Sequence, residues 1–263
     1  MENIKILRDK TGAGIVDCKK AWEESGNNID KAVEILRKKG IAKAAKRDNR
    51  EVREGVVKVA VSSNSKTGFI VEINAETDFV VRSEKFQEFA SQVINLAKKK
   101  QPKNLAELLS LSLADGTVKE NLDNLSGVIG EKLVLKRYDI LNSSGTVAAY
   151  SHASGKIGVI VALDQDGQDD LAYEIAMQIA AANPKYIRPE DVAAAELDKE
   201  KEIYQEQLLK EGKPENIIDK IMVGKLAKFY EEVCLVKQEY IKDDSQRVED
   251  ILGDIKVEGF IRY

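Results

Sequence analysis

One histidine, two cysteines and 45 Asp and Glu residues are the side chains in this sequence best suited to acid–base, nucleophilic or metal chemistry. His152 has no second histidine to work with. Cys18 and Cys234 lie far apart, in neither a CxxC pair nor a recognisable catalytic motif. They read as buried small hydrophobes of a reducing compartment. The sequence contains no GxxxxGK[ST] phosphate loop, no GxGxxG and no HExxH. Thr11-Gly12-Ala13-Gly14 is glycine-rich, but it is too short and follows no strand. A carboxylate-based enzyme stays open by inventory alone, although no Asp/Glu pair has a spacing that demands one. The segment Asn74-Ala75-Glu76-Thr77-Asp78-Phe79-Val80-Val81-Arg82 is more informative. It connects a strand to a helix, where a polar loop is ordinary, yet it places three apolar side chains beside Asp78. An aromatic presented next to a carboxylate suits a partner-binding wedge. The plainer alternative is that Phe79 folds back as a plug over the neighbouring hairpin.

The bulk of the chain is of globular type. Its 263 residues are 43% hydrophobic and 33% charged, enough for one large domain or two to three small ones. No apolar run approaches the roughly 20 residues that a membrane span needs. Met1-Glu2-Asn3-Ile4-Lys5 has no basic patch ahead of an apolar core, so a cytoplasmic address is expected. The net charge is −4, but Lys and Arg outnumber Asp and Glu over the first 50 positions. A basic head on an acidic body suits an anionic partner surface, and it equally suits a solvated helix face.

Those residues need elements to position them. Ile4 and Leu7 mark a first helix, which the paired glycines Gly12 and Gly14 break. Ile15, Cys18, Ala21 and Trp22 recur at helical spacing and predict a second helix with these four facing the core. Gly26-Asn27-Asn28 ends it, and Asn28 suits the cap of a third helix with Ala32, Val33, Ile35 and Leu36 inward. Gly40 is expected to stop that helix, and residues 41–53 read as a helical linker. From Gly55 the period drops to two. Val57, Val59 and Val61, then Ile70, Val71 and Ile73, predict a β-hairpin. A helix with Phe86, Phe89, Ala90, Val93 and Ile94 inward follows, closed by Lys98-Lys99-Lys100 and Pro102. Shorter helical pieces reach Gly130, and Leu133–Leu141 reads as a strand.

The plan then repeats. Gly145–Tyr150 and Ile157–Leu163 form a second hairpin, followed by a helix over about 171–182. Gly55 and Gly68 are 13 residues apart, as are Gly145 and Gly158. This points to a duplicated β-β-α unit, each copy burying one sheet face under its helices. The copies differ in one place: 16 residues separate Ile73 from Phe89, whereas 12 separate Leu163 from Ile175. The excess falls in the segment that holds Asp78 and Phe79. Two long helices over about 192–233 are expected as an antiparallel hairpin inserted into the second copy. Cys234-Leu235-Val236 reads as a strand, Val248, Ile251 and Leu252 as a short helix, and Lys256–Tyr263 as the last strand. The expected fold is α+β: a three-helix module and linker (1–53), then a core of two related α+β subdomains (54–141 and 142–263), the second carrying the helical insertion.

Several of these segments, in order, resemble the elongation factor Ts family. Thr11-Gly12-Ala13-Gly14-Ile15-Val16-Asp17-Cys18-Lys19-Lys20-Ala21 is similar to its N-terminal signature. Gly40-Ile41-Ala42-Lys43-Ala44-Ala45-Lys46 is similar to the stretch after its three-helix module. Thr77-Asp78-Phe79-Val80 resembles its TDFV motif, and Ile157-Gly158-Val159 and Gly259-Phe260-Ile261-Arg262 resemble later family segments. The resemblance implies an N-terminal module similar to ubiquitin-associated domains. It implies a non-enzymatic exchange factor without a cofactor, which binds elongation factor Tu in its GDP-bound and nucleotide-free forms and expels GDP. It further implies that Thr77, Asp78, Phe79 and Val80 dislodge the partner's magnesium ion, and that Lys19, His152 and Ile241 touch the partner. Lys242 departs from the apolar character usual beside Ile241. A nucleic-acid-binding protein and a ubiquitin-associated-like adaptor without exchange activity are the rival readings; the basic head favours the first and the three-helix module the second.

Overall fold

A computed structural model of the chain describes residues 2–45, 47 and 49–263. Helices α1 (Glu2–Thr11), α2 (Ile15–Glu24) and α3 (Ile29–Ala45) form the N-terminal module. Leu7, Cys18, Ala21, Ala32 and Leu36 make its small core. The Asn28 side chain accepts from the Lys31 amide at 3.0 Å, which caps α3 as its side-chain chemistry favours. Gly40 does not stop α3, contrary to the sequence expectation. The helix continues to Ala45 because the glycine serves a close crossing: a Cβ on Gly127 would lie 2.6 Å from the Gly40 Cα. Of the expected linker, Lys46 and Asp48 lie outside the described residues.

The core begins with β1 (Glu54–Val61), β2 (Thr67–Ala75), α4 (Asp78–Arg82) and α5 (Glu84–Lys100). It continues with α6 (Leu105–Ser110), the two-residue strands β3 (Ser112–Leu113) and β4 (Gly116–Thr117), α7 (Val118–Ile129) and β5 (Leu133–Asn142). After these come β6 (Thr146–Ser151), β7 (Gly158–Leu163) and α8 (Asp169–Ala182). The long helices α9 (Ala194–Lys210) and α10 (Glu215–Val233) precede β8 (Glu239–Tyr240), β9 (Asp243–Arg247), α11 (Val248–Leu252) and β10 (Val257–Arg262). Two antiparallel three-stranded sheets carry the core, in the orders β1-β2-β5 and β10-β7-β6. The hairpin registers correspond. Val57 faces Glu72 as Val147 faces Ala162, Val59 faces Ile70 as Ala149 faces Ile160, and Val61 faces Gly68 as Ser151 faces Gly158.

Each sheet has one face under helices. Phe69, Val71 and Ile73 of β2 pack with Phe86, Phe89 and Val93 of α5. Val159, Val161 and Leu163 of β7 pack with Ala172, Ile175 and Ile179 of α8. The other faces are not solvated either. Val57, Ile70, Ile160 and Tyr263 form a cluster between the sheets, so β2 and β7 are buried on both sides. This accounts for the unbroken apolar runs Phe69–Val71 and Val159–Leu163, which alternation alone would not require. Glycines let the sheets approach. A Cβ on Gly158 would lie 2.5 Å from Val57 Cγ1, and one on Gly68 would lie 2.9 Å from Val147 Cγ1. Glu72, buried in β2, is matched by Arg137 at 2.5 Å and Lys136 at 3.1 Å. Cys234–Val236 is not a strand as expected. Cys234 makes one isolated bridge to Tyr186, and Leu235–Lys237 is a single 3-10 turn that carries Leu235 into the second core.

Candidate partner-binding site

The central strand β2 delivers the chain to Thr77 at the sheet edge, and the next five residues coil into α4 instead of the extended loop anticipated from the sequence. Local bonds explain the helix. Thr77 is extended and its Oγ1 accepts from the Val80 amide at 3.4 Å, while the Val81 amide donates to the Thr77 carbonyl at 3.3 Å. Asp78 and Arg82 form an ion pair one turn apart at 3.0 Å. Val80 and Val81 pack against the first core, and the helical turn then directs Phe79 away from it, leaving that ring 81% exposed. Phe79 is therefore not a plug over the hairpin.

His152 lies on the exposed β6–β7 loop. The Ser154 amide donates to its Nδ1 at 3.3 Å, and the Ser154 hydroxyl lies 3.0 Å from the same nitrogen. An open cleft of about 630 Å³ is lined by Asp78 and Arg82 of α4 and by His152 and Lys156 of the β6–β7 loop, among others. The structure thus brings Asp78 and His152, 74 positions apart in sequence, to one cleft. Lys19 and Ile241 lie outside it.

Lys19 is exposed on α2, as expected. Ile15 is not in the module core: it is 59% exposed, and Val16 is 67% exposed. The buried stripe of α2 runs through Cys18 and Ala21, and Ile15 sits at its rim at the helix start, so Ile15, Val16 and Lys19 share an outward surface. Sequence reasoning missed this patch. Two adjacent apolar residues on one helix cannot both face a narrow stripe, and that signal was available. Ile241, between β8 and β9, is 46% exposed, with its amide donating to Gln178 Oε1 at 2.9 Å. Its neighbour Lys242 pairs with Glu174 at 2.7 Å. Lys242, then the Tyr240 hydroxyl, hold the Glu174 carboxyl below its ordinary range.

Both cysteines are free and buried. Burial raises the Cys18 thiol, and burial with Asp191 and Glu190 pushes Cys234 up to about 11, so neither presents a thiolate at neutral pH. Among the described residues, no group of three or more His, Cys, Asp or Glu is arranged to hold a metal ion. None of the described helices is long and apolar enough to cross a membrane.

Known proteins share this chain's pattern over its full length. The family model described as "Elongation factor TS" matches residues 76–263. Elongation factor Ts of Chlorobaculum tepidum is 43% identical over 278 residues, covering 100% of this chain and 96% of that protein. That of Nautilia profundicola is 43% identical, covering 99% and 90%. That of Halothermothrix orenii is 41% identical, covering 100% and 91%. The chain belongs to the elongation factor Ts family, exchange factors and not enzymes, which act on elongation factor Tu in translation elongation.

Proposed function

We propose that this chain expels GDP from elongation factor Tu in the cytoplasm by driving α4 against the GTPase domain, with Phe79 as the wedge. The observation that carries the reading is the orientation of α4: Val80 and Val81 hold it to the core while Phe79 stands in solvent. Thr77 caps the helix, Asp78 approaches the elements that hold the partner's magnesium ion, and His152 acts across the same cleft. Lys19 and Ile241 touch the partner elsewhere. An exchange factor needs no catalytic base. It must bind the nucleotide-free GTPase more tightly than the nucleotide-bound one, and by linkage each ligand then weakens the other equally. Each tenfold loss of nucleotide affinity takes about 1.4 kcal/mol of that differential binding. Burying a phenylalanine supplies roughly 1.5–3 kcal/mol, so Phe79 accounts for one to two decades and the wider interface for the rest.

The wider interface rests on the architecture. We propose two related subdomains, 54–141 and 142–263, descended from one duplicated unit, with α9 and α10 inserted into the second. The matched registers support this, as do the reciprocal glycines Gly68 and Gly158 and the buried sets Phe86, Phe89, Ala90 and Ala172, Ile175, Ala176. On this alignment α4 fills the excess length of the first copy.

The test is release of fluorescent GDP from elongation factor Tu. The wild-type chain accelerates it. Phe79→Ala slows it by about tenfold or more, as loss of an interface anchor worth about 2 kcal/mol requires, with little change in unfolding free energy. Unimpaired release by well-folded Phe79→Ala protein would remove the wedge from the mechanism.

A further inference from the structure

Five residues are too few for a helix to hold itself in water, so the fixtures at each end of α4 decide where Asp78 and Phe79 point. At the C-terminal end the fixtures are local. Ser83 Oγ donates to the Val80 carbonyl at 2.7 Å, and Gln87 Nε2 donates to the Val81 carbonyl at 2.7 Å. At the N-terminal end, where Asp78 and Phe79 sit, a fixture comes from a distant segment. Glu131, between α7 and β5, receives the Thr77 amide on one carboxylate oxygen at 3.0 Å and the Thr77 hydroxyl on the other at 2.8 Å. With its proton committed to Glu131, Thr77 Oγ1 turns a lone pair to the Val80 amide and acts as the cap. The clasp is reciprocal. Glu76 accepts the Lys132 amide at 2.6 Å, and Arg50 from beyond α3 reaches Glu76 at 3.2 Å. Two adjacent carboxylates on two chain segments therefore each grip a backbone amide of the other segment.

We infer that Glu131 is a positioning residue for nucleotide exchange: it touches neither GDP nor the GTPase, and through Thr77 it holds α4 at the angle that presents Asp78 and Phe79. The inference rests on the wedge reading above and adds a residue to it. Glu131 differs from a merely structural carboxylate in where its loss is felt. Freeing the N-terminal end of α4 leaves the rest of the interface intact, so the complex still forms but Phe79 works less often in the productive pose.

The experiment measures stopped-flow release of fluorescent GDP from elongation factor Tu against the concentration of this chain, which gives a plateau rate and a half-saturating concentration. Glu131→Ala lowers the plateau by about tenfold, the size expected for hydrogen bonds to a charged group, and leaves the half-saturating concentration within about twofold. In a Phe79→Ala background the same substitution changes release by clearly less than in the wild type, because the part of its effect that runs through Phe79 is already lost and only the part through Asp78 remains. A wild-type plateau in folded Glu131→Ala protein overturns the inference. So does a shift confined to the half-saturating concentration, which reports lost folded protein, and so do independent effects that multiply in the double variant. If Glu131→Ala does not fold, Glu131→Gln is read instead. It keeps the shape and one acceptor oxygen, and a plateau loss of about threefold is expected; an unchanged plateau overturns the inference. A wild-type chain that fails to release GDP would instead remove the exchange reading itself.

Discussion

Gly158→Ala puts one methyl group into the seam between the two sheets. Its Cβ would sit 2.5 Å from Val57 Cγ1 and 2.9 Å from Val59 Cγ1, and no Cβ is tolerated at such distances without movement. Val57 cannot yield easily. It is buried between the sheets, and a β-branched side chain has little χ1 freedom on a strand. The sheets must then part, and overpacking of this kind costs about 1–3 kcal/mol. Against that, alanine restricts the unfolded chain and returns about 0.4–1 kcal/mol where its backbone angles are acceptable. A net loss of about 1–2 kcal/mol follows. Gly68→Ala has its nearest contact at 2.9 Å and the next at 3.2 Å, so it should lose less. The site should feel the change too. The Val57 amide donates to the Gly155 carbonyl at 2.8 Å, and Gly155 belongs to the loop that carries His152. Displacing β7 from β1 therefore moves His152 relative to Asp78. Urea unfolding followed by circular dichroism gives the stability, and GDP release by the same protein gives the functional effect. Gly158→Ala protein at least as stable as the wild type would refute the face-to-face packing at this contact.

Lys19→Ala should weaken binding to elongation factor Tu by a few-fold and reduce its salt dependence, with stability changed by less than about 0.5 kcal/mol, as is usual for an exposed position. A large drop in melting temperature with normal binding would mean that Lys19 supports the module instead. Acid should destabilise the fold through Glu72 and Glu76. Burial pushes the Glu72 carboxyl up, but Arg137, Lys136 and Asn74 outweigh it. The Lys132 amide leads the groups that hold Glu76 down, so both net shifts are downward. A depressed carboxyl contributes its full stability above the unfolded value of about 4.3 and loses it as the pH falls through the lower folded value. Urea midpoints should therefore hold from pH 7 to about 5 and fall steeply below about 4, and Glu72→Gln should blunt the fall. A midpoint that stays level down to pH 3 would contradict the assignment.

Much of the fold was legible in the sequence because its rules are local. Asn28 caps α3, Gly12 and Gly14 part α1 from α2, and the valine alternation of β1 marks a strand with distinct faces. The errors fall where tertiary contact overrides local preference. Gly40 looks like a helix stop until Gly127 is seen against it, at which point a small residue inside a helix becomes a requirement of packing. Ile15 fits the helical period but lies beyond the stripe that α1 and α3 cover. At the site, composition singled out Asp78 and Phe79, because an aromatic in a strand-to-helix connection is out of place. No spacing rule could join Glu131 to Thr77 across 54 positions. Nor could one foresee that the β6–β7 loop would bring His152 into one cleft with Asp78.

The clasp and the exposed ring belong together energetically. A phenylalanine on a flexible loop would collapse onto the nearest apolar surface, and Val80 and Val81 lie beside it. Docking would then have to strip that contact and order the loop, and those losses would offset much of the roughly 1.5–3 kcal/mol gained on burial. The structure avoids both. Val80 and Val81, half-buried, are already turned against the first core. Thr77, Ser83 and Gln87 fix the turn at both ends before any partner arrives. What the free chain bears instead is an exposed aromatic in water, and the wedge proposal has that exposure relieved on contact with the partner. On the proposed wedge reading, the nucleotide-free conformation of the GTPase has room for the ring and gains its burial energy, and the nucleotide-bound conformation does not. On the same reading, rigidity at α4 spares docking the losses of stripping and ordering a loop, so more of the ring's burial is left to bias the partner's nucleotide affinity.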